Sequence, residues 1–161
     1  EDVALRLGLS ARRANLVKEA AILHDIGKIG INEAILDKPG KLTDEEYDHV
    51  KQHSAYGALI LEPAEAFSPM VRWIRHHHER PDGTGYPDQL SDLEIPIESK
   101  IIAVVDAFDA MTGGEDGKDR RTYRDPMTVA EALAELERCS STQFDENVVF
   151  AFRETILGAS A

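Results

Sequence analysis

Apolar positions recur at helical spacing along most of this chain, and strand signals are scarce. Ser10 can cap a helix whose inner stripe runs Ala14, Val17, Ala21 and His24, with the Gly27 and Gly30 region ending it. Lys38-Pro39-Gly40 reads as a turn. Thr43, with Glu46 three residues on, makes a capping box; the helix it opens is expected to bury Tyr47, Val50, Ser54 and Leu61 and to stop by Pro63. Ser68 then caps a helix with Pro69 at its first position, running to about Glu79.

The run from Glu98 to Met111 is almost continuously apolar, which fits a buried strand but is long enough to favour a buried helix. Thr128 with Glu131 gives a second capping box, and Asp145 caps the last helix with Phe144 placed to staple against Val149. Gly113 to Asp119 reads as a charged loop. The predicted fold is a single all-α domain.

Composition narrows the chemistry. The 161 residues, 42% of them hydrophobic, suffice for one core. No apolar run approaches the ~20 residues of a membrane span, and no signal peptide opens the chain, so a cytoplasmic protein without membrane insertion is expected. The one cysteine, Cys139, excludes an internal disulfide and a thiolate cluster, so any metal must be held by nitrogen and oxygen. A net charge of −12 argues against binding a nucleic acid polymer through its phosphates. A small anionic substrate stays open if metals and a few basic residues reverse the sign locally.

On the predicted helix from Pro69, Met70, Val71 and Ile74 define the buried stripe. His77 and His78 flank its centre, whereas His76 points away and reads as solvated. In "HDIGK", His24 continues the apolar stripe and Asp25 is its neighbour. Asp106 sits inside the apolar "IIAVVDAFDAM", with Asp109 about one turn later. A buried aspartate is costly unless paired or bound to a cation. His53 lies on the flank of an apolar face, where a lone histidine is usually a core residue. Together, however, His24, Asp25, His53, His77, His78 and Asp106 all face inward, and metal is their common partner. Six donors exceed the needs of one tetrahedral ion. Two ions bridged by Asp25 would use them all, as in pairs that activate water and clamp phosphoryl oxygens. Mixed imidazole and carboxylate donors suit manganese, iron, zinc or nickel without choosing among them; two divalent ions are expected, iron or manganese ahead of zinc or nickel.

"HDIGK", "HHHERPDGTGYP" and "IIAVVDAFDAM", together with "DKPGKLTDEEYDHVKQHSAYGA" and "STQFDENVV", resemble the HD-GYP family, metal-dependent phosphodiesterases of cyclic di-GMP within the HD superfamily. The resemblance covers nearly the whole chain. It implies that the six inward residues are the metal ligands and that Lys28 faces the scissile phosphate or the leaving oxygen. It implies a substrate contact at Tyr86 in the Gly85-Tyr86-Pro87 loop, and phosphate grips at Arg121 and Arg124 of "RRTYR", where Thr122 stands in place of the family's proline. Asp109 fits either an orienter of a ligand histidine or a proton donor. The expected products are linear pGpG and, after a second cut, GMP. The alternatives are a phosphohydrolase of another cyclic dinucleotide or nucleotide, or a receptor that binds cyclic di-GMP without cutting it. The family also implies an upstream receiver or sensory domain and dimer contacts. Some members take a glutamate and a histidine from a helix ahead of the HD pair; "EDVALRLGLS" holds no histidine, so residues 1–161 are expected to be an HD-GYP domain lacking part of that helix.

Overall fold

Four helix starts follow caps legible in the sequence, those at Ser10, Thr43, Thr128 and Asp145. In the computed structural model, which describes residues 1–113 and 125–158, a short helix α1 (Asp2–Arg6) leads to α2 (Ala11–Leu23). There Ser10 Oγ accepts the Arg13 amide at 3.3 Å. A one-turn helix α3 (Glu33–Leu36), capped by Asn32, precedes α4 (Asp44–Lys51). The Thr43 capping box forms in full, and Glu46 Oε1 and Oε2 also accept Lys38 Nζ at 2.8 and 2.6 Å. Then come α5 (His53–Leu61), α6 (Ser68–Arg75) and α7 (Ile97–Thr112), the last ending on Gly113 at φ 88°. The Thr128 box opens α8 (Val129–Arg138). Asp145 Oδ1 accepts the amides of Asn147 and Val148 at the start of α9 (Glu146–Gly158), with Phe144 and Val149 buried in one core.

Among the described residues the elements are nine α-helices and three 3₁₀ segments, so the all-α expectation holds there, and the one strand-like feature is an isolated bridge between Ser140 and Phe144. None of these helices is long and apolar enough to cross a membrane.

The structure corrects the sequence reading at four points. First, α2 stops at Leu23 rather than at the glycines; His24 is its C-cap, and Ile26–Gly30 form a 3₁₀ segment that carries Lys28. Second, the helix expected from Thr43 to Pro63 is broken at Gln52. α4 buries none of its residues, and Tyr47 is 50% exposed beneath Lys51, whose Nζ lies 4.7 Å from the ring centroid. α5 turns instead to pack on Ile26–Gly30 and on α6, burying His53, Ser54 and Leu61. Third, Phe67 rather than Ser68 is the N-cap of α6, because the 3₁₀ turn Glu65–Phe67 runs directly into it. Fourth, α6 ends at Arg75, so His76 to Glu79 leave it as a turn.

The core forms where α7 crosses α2, α8 and α9. Val17, Met70, Ile74, Ile101, Ile102, Val104, Leu136 and Val148 are its largest fully buried apolar side chains. Each stabilises the fold by roughly 1.5–3 kcal/mol through water exclusion. This packing brings the C-terminal end of α2, the start of α5, the turn after α6 and the middle of α7 to one place. Two glycines permit it. A Cβ on Gly27 would lie 1.8 Å from the His53 carbonyl oxygen, and one on Gly85 would lie 2.5 Å from the Arg80 nitrogen.

Candidate metal centre

Three histidines are oriented by one device. His24 Nδ1 donates to the Ala21 carbonyl at 2.7 Å, His53 Nδ1 to Val50 at 2.7 Å and His77 Nδ1 to Ile74 at 2.6 Å. Each donor sits three residues after its acceptor, where the closing turn of a helix or the turn between two helices presents a carbonyl. The bond fixes the tautomer and leaves Nε2 as a lone pair facing the interior. His53 Nε2 then lies 3.4 Å from His77 Nε2 and 3.2 Å from His78 Nε2. His53 and His77 both donate through Nδ1, so their Nε2 lone pairs, 3.4 Å apart, repel unless a cation lies between them.

The carboxylates complete the cluster. His24 Nε2 is 3.5 Å from Asp25 Oδ2 and 3.4 Å from Asp106 Oδ1, while Asp25 Oδ1 is 3.4 Å from His53 Nε2. The two Asp25 oxygens therefore face different histidines. Ligand atoms of His53, His77 and His78 form one compact group, those of His24, Asp25 and His77 another, and each group spans at most 4.8 Å. His77 is common to both. His24 Nε2 and Asp25 Oδ1 are buried without a hydrogen-bond partner, a cost that a metal ion would remove. The donor set of imidazoles and carboxylates fits a divalent ion on that ground.

Electrostatics favour the form that metals require at five of the six residues, His24 being the exception. Burial holds the His77 pKa down to about 4 and depresses His53 and His78 as well, so these imidazoles stay neutral. For Asp25 and Asp106 burial works in the opposite direction, toward protonation. His24 and Lys28 overcome it at Asp25 and His24 overcomes it at Asp106, and both carboxyls titrate below the usual range. Burial also lowers His24, but the Asp106 and Asp25 carboxylates outweigh it and raise its pKa. Lys28 Nζ donates to Asp25 Oδ2.

The loop after α6 covers one side of the cluster. Tyr86 stacks on His78 with ring centroids 4.7 Å apart, and burial drives its phenol pKa up. His78 and Tyr86 together line two cavities. One, of about 850 Å³, is bordered also by Lys28, Lys38, Lys41 and His53; the other, of about 510 Å³, by Tyr47, Arg80, Gln143 and Asp106. The cluster thus opens onto two spaces divided by one stacked pair.

A model of the HD domain family matches residues 1–148. The chain belongs to the HD domain family. Three curated relatives are named as cyclic dinucleotide phosphodiesterases. A cyclic di-GMP phosphodiesterase of Thermotoga maritima is 43% identical over 154 residues, covering 93% of this chain and 40% of the relative. A 3′3′-cGAMP-specific phosphodiesterase of Vibrio cholerae is 38% identical, covering 96% of this chain and 32% of the relative. A cyclic di-GMP phosphodiesterase response regulator of Xanthomonas campestris is 40% identical, covering 92% and 38%. The chain therefore spans about a third to two fifths of the length of these relatives. The fold is shared with a cyclic GMP-AMP specific phosphodiesterase of V. cholerae, at TM-score 0.73, 17% identity and coverage of 99% and 42%. It is shared also with an HD-GYP protein of Bdellovibrio bacteriovorus, at TM-score 0.71, 20% identity and coverage of 98% and 48%.

In this HD domain the six inward residues read from the sequence converge, and Lys28 and Tyr86 join them. Asp109 does not: it is exposed on α7. Arg121, Arg124 and nearly all of the charged loop lie outside the described residues. The reading of His76 as solvated is wrong. Its side chain is 9% exposed and its Nε2 lies 2.9 Å from Asp88 Oδ2, because the chain turns after Arg75 and carries His76 under the loop. Sequence reasoning also passed over Glu79, which is buried and accepts the amides of Asp88 at 2.7 Å and Leu90 at 3.0 Å. The one available signal was a carboxylate directly beside a histidine triplet.

Proposed function

We propose that this HD domain hydrolyses cyclic di-GMP to linear pGpG, with a second cut to GMP, using two divalent ions, iron or manganese in first place and zinc or nickel as alternatives. The observation that carries the proposal is Asp25, whose two oxygens turn to different histidines within a cluster holding more donors than one ion needs. Under this reading His24, Asp25, His53, His77, His78 and Asp106 hold the ions. When bound, such ions lower the pKa of water and stabilise charge on phosphoryl oxygens.

The protein's own groups supply the rest. Lys28 Nζ, beside Asp25, offsets charge on the phosphate and is positioned to give a proton to the departing 3′ oxygen. Tyr86 walls the substrate space beside His78 and excludes water from it. Arg121 and Arg124 grip phosphate oxygens, each through the paired donors of a guanidinium. The names of the Thermotoga and Xanthomonas relatives support cyclic di-GMP as substrate. The Vibrio relative favours a second reading, 3′3′-cGAMP. We expect a receiver or sensory domain as the regulatory partner, homodimer contacts and a cytoplasmic location.

The test is anaerobic reconstitution with manganese(II) or iron(II), followed by chromatography of products from each cyclic dinucleotide. Metal-dependent pGpG or GMP supports the first reading, and cleavage of 3′3′-cGAMP alone supports the second. Two bound ions with neither substrate cut would overturn both.

A further inference from the structure

The loop that places Tyr86 is gripped from behind. Asp88, two residues after Tyr86, accepts Arg75 Nε at 2.8 Å and Nη2 at 2.7 Å, and its Oδ2 lies 2.9 Å from His76 Nε2. The Asp88 amide donates to Glu79 Oε1 at 2.7 Å, the Leu90 amide to Glu79 Oε2 at 3.0 Å, and the Tyr86 amide to the His78 carbonyl at 3.2 Å. Arg75 to Glu79 is thus one short segment that carries two proposed metal ligands and, on its other side, three anchors for the loop. His76 is buried with its Nδ1 lacking a partner, a cost that a solvated histidine would escape. What burial gives in return is the bond to Asp88.

We infer that His76 and Asp88 are positioning residues: the clamp they form with Arg75 and Glu79 fixes the Tyr86 ring over His78, and so sets the width of the two cavities that this pair divides. A phenol held in place needs no ordering when substrate enters, and that preorganisation appears in affinity. The clamp acts on substrate binding, and the metal ligands reach their ions without it. This inference rests on the phosphodiesterase reading for its kinetic test, but not for its structural one.

The experiment compares the unsubstituted chain, His76→Ala, His76→Asn and Asp88→Asn, each reconstituted with manganese(II). Hydrogen exchange at the Tyr86, Asp88 and Leu90 amides reads the loop directly. The expected result is about tenfold faster exchange at these amides in His76→Ala, with metal content unchanged. With cyclic di-GMP, KM rises about tenfold while kcat stays within about twofold, and His76→Asn, which keeps a donor near Asp88, recovers part of both effects. Unchanged exchange in His76→Ala overturns the inference, as does a joint fall of metal content and kcat with KM constant. If the unsubstituted chain cuts no cyclic di-GMP, the proposed function fails, and the exchange data alone decide the clamp.

Discussion

Gly27→Ala tests whether the site depends on the close approach of the 3₁₀ segment to α5. The new Cβ would lie 1.8 Å from the His53 carbonyl oxygen, 2.4 Å from the Gly57 nitrogen and 2.8 Å from the His53 carbonyl carbon. All three are backbone atoms, so no rotamer change relieves the clash. The two segments must part by more than about 1 Å, which places the cost near the upper end of overpacking, about 3 kcal/mol. For a domain of this size that lowers Tm by roughly 6–12 °C. The same displacement carries Asp25 away from His53, now 3.4 Å apart, and metal ligation tolerates only about ±0.2 Å. Metal affinity is expected to fall by about 10- to 100-fold. Gly57→Ala is the control, since its Cβ meets no backbone atom within 3.4 Å and needs only a few tenths of an ångström from the Ile74 Cγ2 methyl at 3.2 Å. Circular-dichroism melts and a manganese titration of the three proteins read both effects. A Gly27→Ala protein within about 2 °C of the unsubstituted Tm, with equal metal affinity, would refute the reasoning.

Three further outcomes are expected. Arg13→Ala leaves the Glu98 carboxylate, 1% exposed, without its cation, and costs about 2 kcal/mol in a urea melt; Glu98→Gln in that background recovers part, and a single-mutant loss under about 0.5 kcal/mol contradicts the pairing. Asp145→Ala removes the α9 cap and one partner of Lys100, costing about 1 kcal/mol at pH 7. Burial favours the neutral Asp145 carboxyl, yet Lys100 and the Val148 and Asn147 amides hold its folded pKa below the ordinary value. A depressed folded pKa contributes stability above the unfolded value of about 3.9 that disappears below it. The gap between the two proteins therefore narrows as pH falls through that window, and a constant gap argues against it. Manganese at about 100 times its Kd raises stability by about 2.7 kcal/mol, or roughly 5–11 °C in Tm, and a chelator reverses this. A chelator-insensitive melt counts against a folded-state metal site.

What the sequence disclosed was local or additive. The Thr43 and Thr128 boxes depend on residues three apart, and both form. The apolar run of α7 needed no partner to be read as a buried helix. The inward set of His24, Asp25, His53, His77, His78 and Asp106 was legible because burying polar groups on apolar stripes demands a common reason. The misreadings arise where tertiary contacts override periodicity. Projecting 100° per residue past Arg75 sent His76 outward, whereas Asp88, twelve residues later, draws it under the loop. Tyr47 and His53 were placed on one helix, but only the half after Gln52 follows the core. The role of Glu79, marked only by its place beside the histidine triplet, could not be read, because its partners are backbone amides nine and eleven residues away.

The most direct measurement compares the unsubstituted chain with Asp25→Ala after anaerobic reconstitution, counting metal by mass spectrometry and products of cyclic di-GMP by chromatography. The account predicts about two ions and metal-dependent pGpG for the first protein, and loss of both metal and turnover for the second. An Asp25→Ala protein with full metal content and an unchanged rate would contradict it.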